Sequence, residues 1–315
     1  YLLYARVFST LFWAMQIKLL TYNIWFSDHA MVRRMHAIGD LVALHTPHIV
    51  ALQEVTEEHW TALSAHPSLA TYEWSSPPAQ ESYYTMLGSL KSWAGPREER
   101  RQQYSAGLMG RDLLSAVLKP AGLPPLVVGT THLESLNMAS TRSEQIVEAT
   151  SWLTATSNAS KAKDVILCGD TNVETGSKKS GAVEEKVRLP ASWQDAWEVC
   201  GSGPGWTFDA IDNRMVGRLD GWGHANQARL RYDRFWTRLT SYQCLAMEIL
   251  GTVPLPSDGS EGASEDEQEE FWPSDHYGLL LTLATRDDAV VTSTDQGRKS
   301  DIASATHSAK PCVTS

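Results

Sequence analysis

The chain is short of cysteine, of long apolar runs and of positive charge, and each shortage narrows its class. Four cysteines, Cys168, Cys200, Cys244 and Cys312, are scattered through 315 residues without C-x-x-C spacing. That scatter reads as reduced thiols of the nucleus or cytoplasm, and it excludes a disulfide frame or a cysteine zinc site. No run of 18 apolar residues occurs, so no transmembrane helix and no stable membrane association are expected. Lys and Arg number 27 against 37 Asp and Glu, a formal net charge of -10. Such a balance speaks against a polyanionic partner until its location is read. Asp258, Glu261, Glu265, Asp266, Glu267, Glu269 and Glu270 carry -7 of it in one stretch without Lys or Arg, leaving -3 elsewhere. SDGSEGASEDEQEE, residues 257–270, is dominated by Gly, Ser and charge and reads as a solvated loop.

What the chain has in number is apolar runs that end in polar residues. MQIKLLTYNIW, HIVALQEV, LPPLVVGTTHLES, KDVILCGDTN and HYGLLLTLAT read as strands, and SYYTMLGSL and RLRYDRFWTRL are strand-like. MVRRMHAIGDLVALHTP repeats Met31, Met35, Ile38, Val42 and Leu44 at helical spacing and stops at Pro47. TEEHWTALSAH predicts a second helix. TRSEQIVEATSWLTA predicts a third, with Thr141 as N-cap and Glu144 three residues on. GSLKSWAGPREERRQQY, with Arg97, Arg100 and Arg101, reads as a solvated charged loop. Strands alternating with helices imply a layered α/β domain over 15–286. Residues 1–14 read as an N-terminal extension before Met15, since no small-residue cleavage site follows them. Residues 287–315 lack periodicity and read as a disordered tail. The sequence carries no internal repeat.

Five strand ends present residues able to handle a metal or a phosphate: Asn23, Glu54, His132, Asp170 with Asn172, and Asp275 with His276. Singly each is weak, because such residues also cap helices and build turns. Together they form a coherent chemical set. Glu54 and Asp275 are hard oxygen ligands that suit one Mg²⁺, with Mn²⁺ as substitute. Asp170 is placed to orient or deprotonate a water, with Asn23 and Asn172 as amide donors. His132 and His276 can donate to phosphate oxygens as charge grows on them. Asp233 of RYDRFW can hold one imidazole in tautomer and orientation.

TYNIW, LQEV, THLES, GDTN, YDR and SDH, in this order, resemble the endonuclease/exonuclease/phosphatase superfamily of Mg²⁺-dependent phosphoesterases. The resemblance runs from Ile17 to Ala284. It implies a four-layer α/β sandwich, two packed mixed β-sheets flanked by helices, with the site at one end of the sheets. THLES followed by Arg142 and Gln145, with WTFD, MGRDLL and PSDHYGLL, is similar to the tyrosyl-DNA phosphodiesterase branch. That branch frees a protein tyrosine from a DNA 5′ end and leaves a 5′-phosphate. The resemblance implies as partner a DNA 5′ end carrying a tyrosyl or peptide adduct, and a monomer is expected. It implies Mg²⁺ on Glu54 and Asp275, and water handling by Asn23, Asp170 and Asn172. It gives the scissile phosphate to His132 and His276, and further substrate contacts to Ser135, Arg142 and Phe208. One position departs from the pattern. Many relatives read W-N-x-D after the first strand, and here Trp25 stands in place of that acid. Rival readings are another phosphoesterase of this fold (a nuclease, sphingomyelinase or inositol phosphatase) and a non-catalytic adaptor.

Overall fold

Leu19 and Leu20 are neighbours on one strand, so their side chains leave opposite faces. Both are buried, because the strand lies between two apolar layers. Leu19, with Ile17, Ile49, Ala51 and Leu87, meets Leu114, Leu126, Val128, Ile166 and Phe235 of a second sheet. Leu20, with Val50 and Leu52, meets Met35, Ile38 and Val42 of a covering helix. On the far side Val127, Val165 and Leu167 meet Ile146, Ala149 and Leu153 of another helix. The order helix, sheet, sheet, helix is the expected four-layer sandwich. Truncating a side chain such as Ile38 to Ala would cost about 2–5 kcal/mol.

The computed structural model describes residues 15–79, 82–95, 97–218, 226–255 and 271–286. The expected N-terminal extension, acidic loop and tail lie outside the described residues. One six-stranded sheet runs in the order Tyr242–Leu250, Gly278–Thr285, Gln16–Asn23, Ile49–Val55, Tyr84–Leu90 and Tyr72–Trp74. The other runs Gln194–Asp195, Asp233–Arg238, Asp164–Asp170, Leu126–His132, Asp112–Leu118 and Arg97–Gln103. Each holds one parallel pair, Gln16–Asn23 with Ile49–Val55 and Leu126–His132 with Asp164–Asp170. Parallel neighbours need a crossover. Helices Met31–His45 and Ala139–Ser160 supply the two crossovers. A small four-stranded sheet of Gly181–Glu184, Thr175–Lys178, Arg229–Leu230 and Phe208–Asp209 completes the fold.

Three local expectations are corrected. Residues 97–103 form an edge strand, because Arg97 and Arg101 fold over the neighbouring sheet and donate to Leu87 O and Thr85 O. Thr141 lies inside its helix, which starts at Ala139 after Met138. Leu44 is 75% exposed, and Leu41 packs on the core instead.

Candidate active site

The two parallel pairs end side by side, and their last residues touch. Asn23 closes the first strand and is fully buried. Its Nδ2 donates to Glu54 Oε1 at 3.1 Å and to Asp170 Oδ2 at 2.9 Å. Glu54 reaches this point through a break in register between Leu52 and Val55. Its φ is +59°, a left-handed conformation that re-aims the side chain off the strand. Glu54 Oε2 accepts the backbone N–H of Phe26 at 3.1 Å. Beneath, Gln53 Nε2 donates to Thr130 Oγ1 at 3.0 Å and so bonds the two sheets together.

Asp170 is the hub. Gly169 before it has φ +132°, and a Cβ there would stand 2.0 Å from Thr131 O, so the position requires glycine. Asp170 Oδ1 accepts Asn172 N at 2.9 Å. Oδ2 lies 3.2 Å from His132 Nε2 and 3.9 Å from His276 Nε2. Burial pushes the carboxyl up, but His132, His276 and the Asn172 and Asn23 donors together hold it below its ordinary range. Asp170 is therefore ionised at neutral pH.

The two histidines differ in charge. Arg111 Nη1 lies 2.9 Å from His132 Nδ1. A guanidinium only donates, so Nδ1 is the acceptor and Nε2 carries the hydrogen that faces Asp170. Burial pushes the His132 pKa down to about 3, and Arg111 adds to the fall. His132 is a neutral imidazole. His276 Nδ1 lies 2.8 Å from Asp233 Oδ2. Burial alone would lower its pKa, but Asp233 and then Asp170 raise it well above the ordinary value. His276 is an imidazolium, with Nδ1 donating to Asp233 and Nε2–H turned toward the hub. Asp233 is fully buried, and Thr207 Oγ1 accepts its backbone N–H at 3.0 Å.

Asp275 and His276 are separated by the turn before them. Ser274 Oγ bonds Asn23 O at 2.7 Å, and Ser274 O accepts Asn213 Nδ2 at 2.9 Å. Asp275 is half-buried, with Ser274 Oγ 3.3 Å from its Oδ1. Burial lifts its pKa to about 7; His276 opposes the rise and nearby Glu54 adds to it. Neither Glu54 nor Asp275 has a Lys or Arg ion pair among the described residues. Two neighbouring half-buried carboxylates without such a partner fit a hard divalent cation. Tight groups of possible ligand atoms are Glu54, His132 and Asp170, and Asp170, Asp233 and His276; Asp275 belongs to neither.

A cleft of about 390 Å³ opens over these groups. Glu54, His132, Ser135, Asp170, Asn172, Phe208 and His276 line it, whereas Asn23, Asp233 and Asp275 do not. One wall is Phe208 and Tyr232, 5.2 Å and 6.0 Å from the His276 ring. A second wall is Phe26 stacked on Tyr83 at 5.6 Å, with Arg111 5.2 Å from the Tyr83 centroid. Arg142, expected as a substrate contact, serves a structural role instead. It is 2% exposed, pairs with Glu185 through Nε at 3.0 Å and Nη2 at 2.6 Å, and donates to Glu134 O and Leu136 O. It holds the loop that carries Ser135 and does not line the cleft. Sequence reading missed Tyr83, Arg111 and Tyr232. Arg111 sat unread within MGRDLL, and Tyr232 beside Asp233 in RYDR.

Known proteins are similar to this chain in sequence and fold. Tyrosyl-DNA phosphodiesterase 2 of Homo sapiens is 26% identical over 271 residues, 84% of this chain and 67% of its own. The chain thus spans about two thirds of that relative's length. A truncated TDP2 of Caenorhabditis elegans matches the fold with a TM-score of 0.69 at 22% identity, covering 86% of this chain and 98% of that one. TDP2 of D. rerio, complexed with single strand DNA product, matches with a TM-score of 0.66 at 23% identity, covering 86% and 99%. No helix among the described residues is long and apolar enough to cross a membrane. The Endonuclease/Exonuclease/phosphatase family matches residues 20–276, so the chain belongs to that family and is a phosphodiesterase of it.

Proposed function

We propose that this phosphodiesterase hydrolyses the 5′-phosphotyrosyl bond of protein-linked DNA ends and leaves a 5′-phosphate. The observation that carries the reading is the arrangement about Asp170: a neutral His132 and a cationic His276 flank one ionised carboxylate. Asp170 orients the attacking water and takes its proton. His276 Nε2–H and His132 Nε2–H donate to the non-bridging oxygens, where negative charge grows. Asp233 fixes the His276 ring, and Asn23 and Asn172 fix Asp170. Glu54 and Asp275 would hold Mg²⁺, or Mn²⁺ in its place, which polarises the phosphoryl group when bound. The leaving tyrosine has a pKa of about 10, so it departs as a phenolate with little help from an acid. That fits a site in which both histidines serve the phosphate.

The substrate class is supported by the relatives named above, one of them bound to DNA product, and by the two aromatic walls. Bases stack on such walls without regard to sequence. The test is turnover of a 5′-tyrosyl oligonucleotide beside an abasic duplex, an inositol phosphate and a nitrophenyl thymidine phosphate, with Mg²⁺ and with EDTA. Cleavage of the tyrosyl substrate alone among the three natural classes, abolished by EDTA and restored by Mg²⁺ or Mn²⁺, is the expected result. Full activity in chelator removes the metal reading, and preference for either of the other classes removes the substrate reading.

A further inference from the structure

We infer that Arg34 is a positioning residue that locks together the two loops bearing Glu54's backbone partner and Asp275. Arg34 is fully buried, and all five of its N–H groups meet main-chain carbonyls. Nε donates to His29 O at 2.8 Å, Nη1 to Ile24 O at 2.9 Å and Pro273 O at 3.3 Å, and Nη2 to Trp25 O at 3.1 Å and to Ser27 O. Four of these carbonyls belong to the loop after the first strand, whose Phe26 N–H holds Glu54 Oε2. The fifth belongs to Pro273, two residues before Asp275. One planar group therefore ties both segments. The Trp25 ring covers it at 4.8 Å. Burial lowers its pKa to about 10, with Asp275 the strongest opposing influence, so it stays charged at neutral pH.

The second crossover helix supplies an internal contrast. Arg34 and Arg142 are each the fourth residue of their helices. Each donates to carbonyls of the loop that follows the preceding strand. Arg142 is neutralised by Glu185, whereas Arg34 has no ion pair among the described residues and, unlike Arg142, reaches the Asp275 segment. A bracket of this kind sets the distance between ligands before any ion arrives, which is where supporting residues alter metal affinity by about 10–100-fold.

The inference rests on the reading of Glu54 and Asp275 as metal ligands. The experiment measures Mn²⁺ binding by the free-ion EPR signal, on the full chain without substrate, with melting temperature recorded alongside. Arg34→Lys keeps the charge but offers three N–H groups for five carbonyls. It should weaken Mn²⁺ binding about tenfold, with turnover recovering at saturating Mn²⁺. Trp25→Leu keeps the hydrogen bonds and removes the ring, and should weaken binding about two- to fivefold. It decides the matter if Arg34→Lys does not fold. Arg142→Lys should lower the melting temperature and leave Mn²⁺ binding unchanged. Wild-type affinity in whichever Arg34 and Trp25 variants fold overturns the inference, and so does an equal loss in Arg142→Lys. Glu54→Gln separates the levels: if it too binds Mn²⁺ normally, the metal reading itself fails.

Discussion

The two sheets repeat one plan. Each has a strand, a crossover helix and a parallel strand, and each pair ends in two polar residues that meet, Asn23 with Glu54 and His132 with Asp170. The contents differ. The first pair ends in an amide and a carboxylate beside Asp275, groups suited to hold a cation. The second ends in an imidazole and the ionised hub carboxylate, groups suited to move a proton and stabilise an oxyanion. The proposed roles thus divide between the halves of a repeated architecture, binding on one side and reaction on the other, joined by Asn23 Nδ2.

The largest effect should come from the hub. Asp170→Asn should lower turnover by about 10⁴ at any metal concentration. Glu54→Gln should raise the metal requirement and recover in excess Mg²⁺. Titrating Mg²⁺ against rate for both variants checks this, and identical profiles would break the division between the two pairs. Next, His276→Ala should lower turnover about 10²–10³-fold without changing the metal requirement. Asp233→Asn with His276→Ala should cost little more than His276→Ala alone, because the two act as a unit; multiplying losses would separate them.

The buried Arg142–Glu185 pair marks the second half as structurally closed. Arg142→Gln leaves Glu185 without its partner and should cost about 3–5 kcal/mol of stability by urea unfolding. Arg142→Met with Glu185→Leu should restore most of it, and no recovery would show that the carbonyl contacts carry the effect. The smallest change is expected at the wall: Phe208→Ala should raise the oligonucleotide KM by about tenfold with turnover kept. An unchanged KM would assign stacking to Tyr232 or to the Phe26–Tyr83 wall.

Much of this was legible because strands buried on both faces read as continuous apolar runs. Leu126–His132 and Asp164–Asp170 are buried throughout, and their terminal His132 and Asp170 therefore stand out. The repeat of the two halves was invisible because equivalent positions hold different chemistry, Asn23 against His132 and Glu54 against Asp170. Arg34 was hidden for another reason: its partners are backbone carbonyls, which leave no mark in a sequence. The Arg97–Gln103 strand was misread because an edge strand needs one neighbour only, and REERRQQ meets it with charged side chains lying over the sheet. The Tyr242–Leu250 strand was missed where its alternation breaks between Cys244 and Ala246.

Left-handed backbone gathers at the site: Trp25 at φ +58°, Glu54 at +59° and Asn172 at +51°. Each such conformation in a residue with a side chain costs on the order of 1 kcal/mol or more. Glycine at positions 54 and 172 would relax the chain and erase the proposed ligand and the amide. Selection for heat resistance alone, applied to a random library of this protein, should erode positions 54 and 172 while the sandwich survives and Trp25, packed against Met215, Phe271 and Trp272, is kept. The variants so enriched would be tougher and inert, because the bends that aim this chemistry are conformations the chain adopts at its own expense.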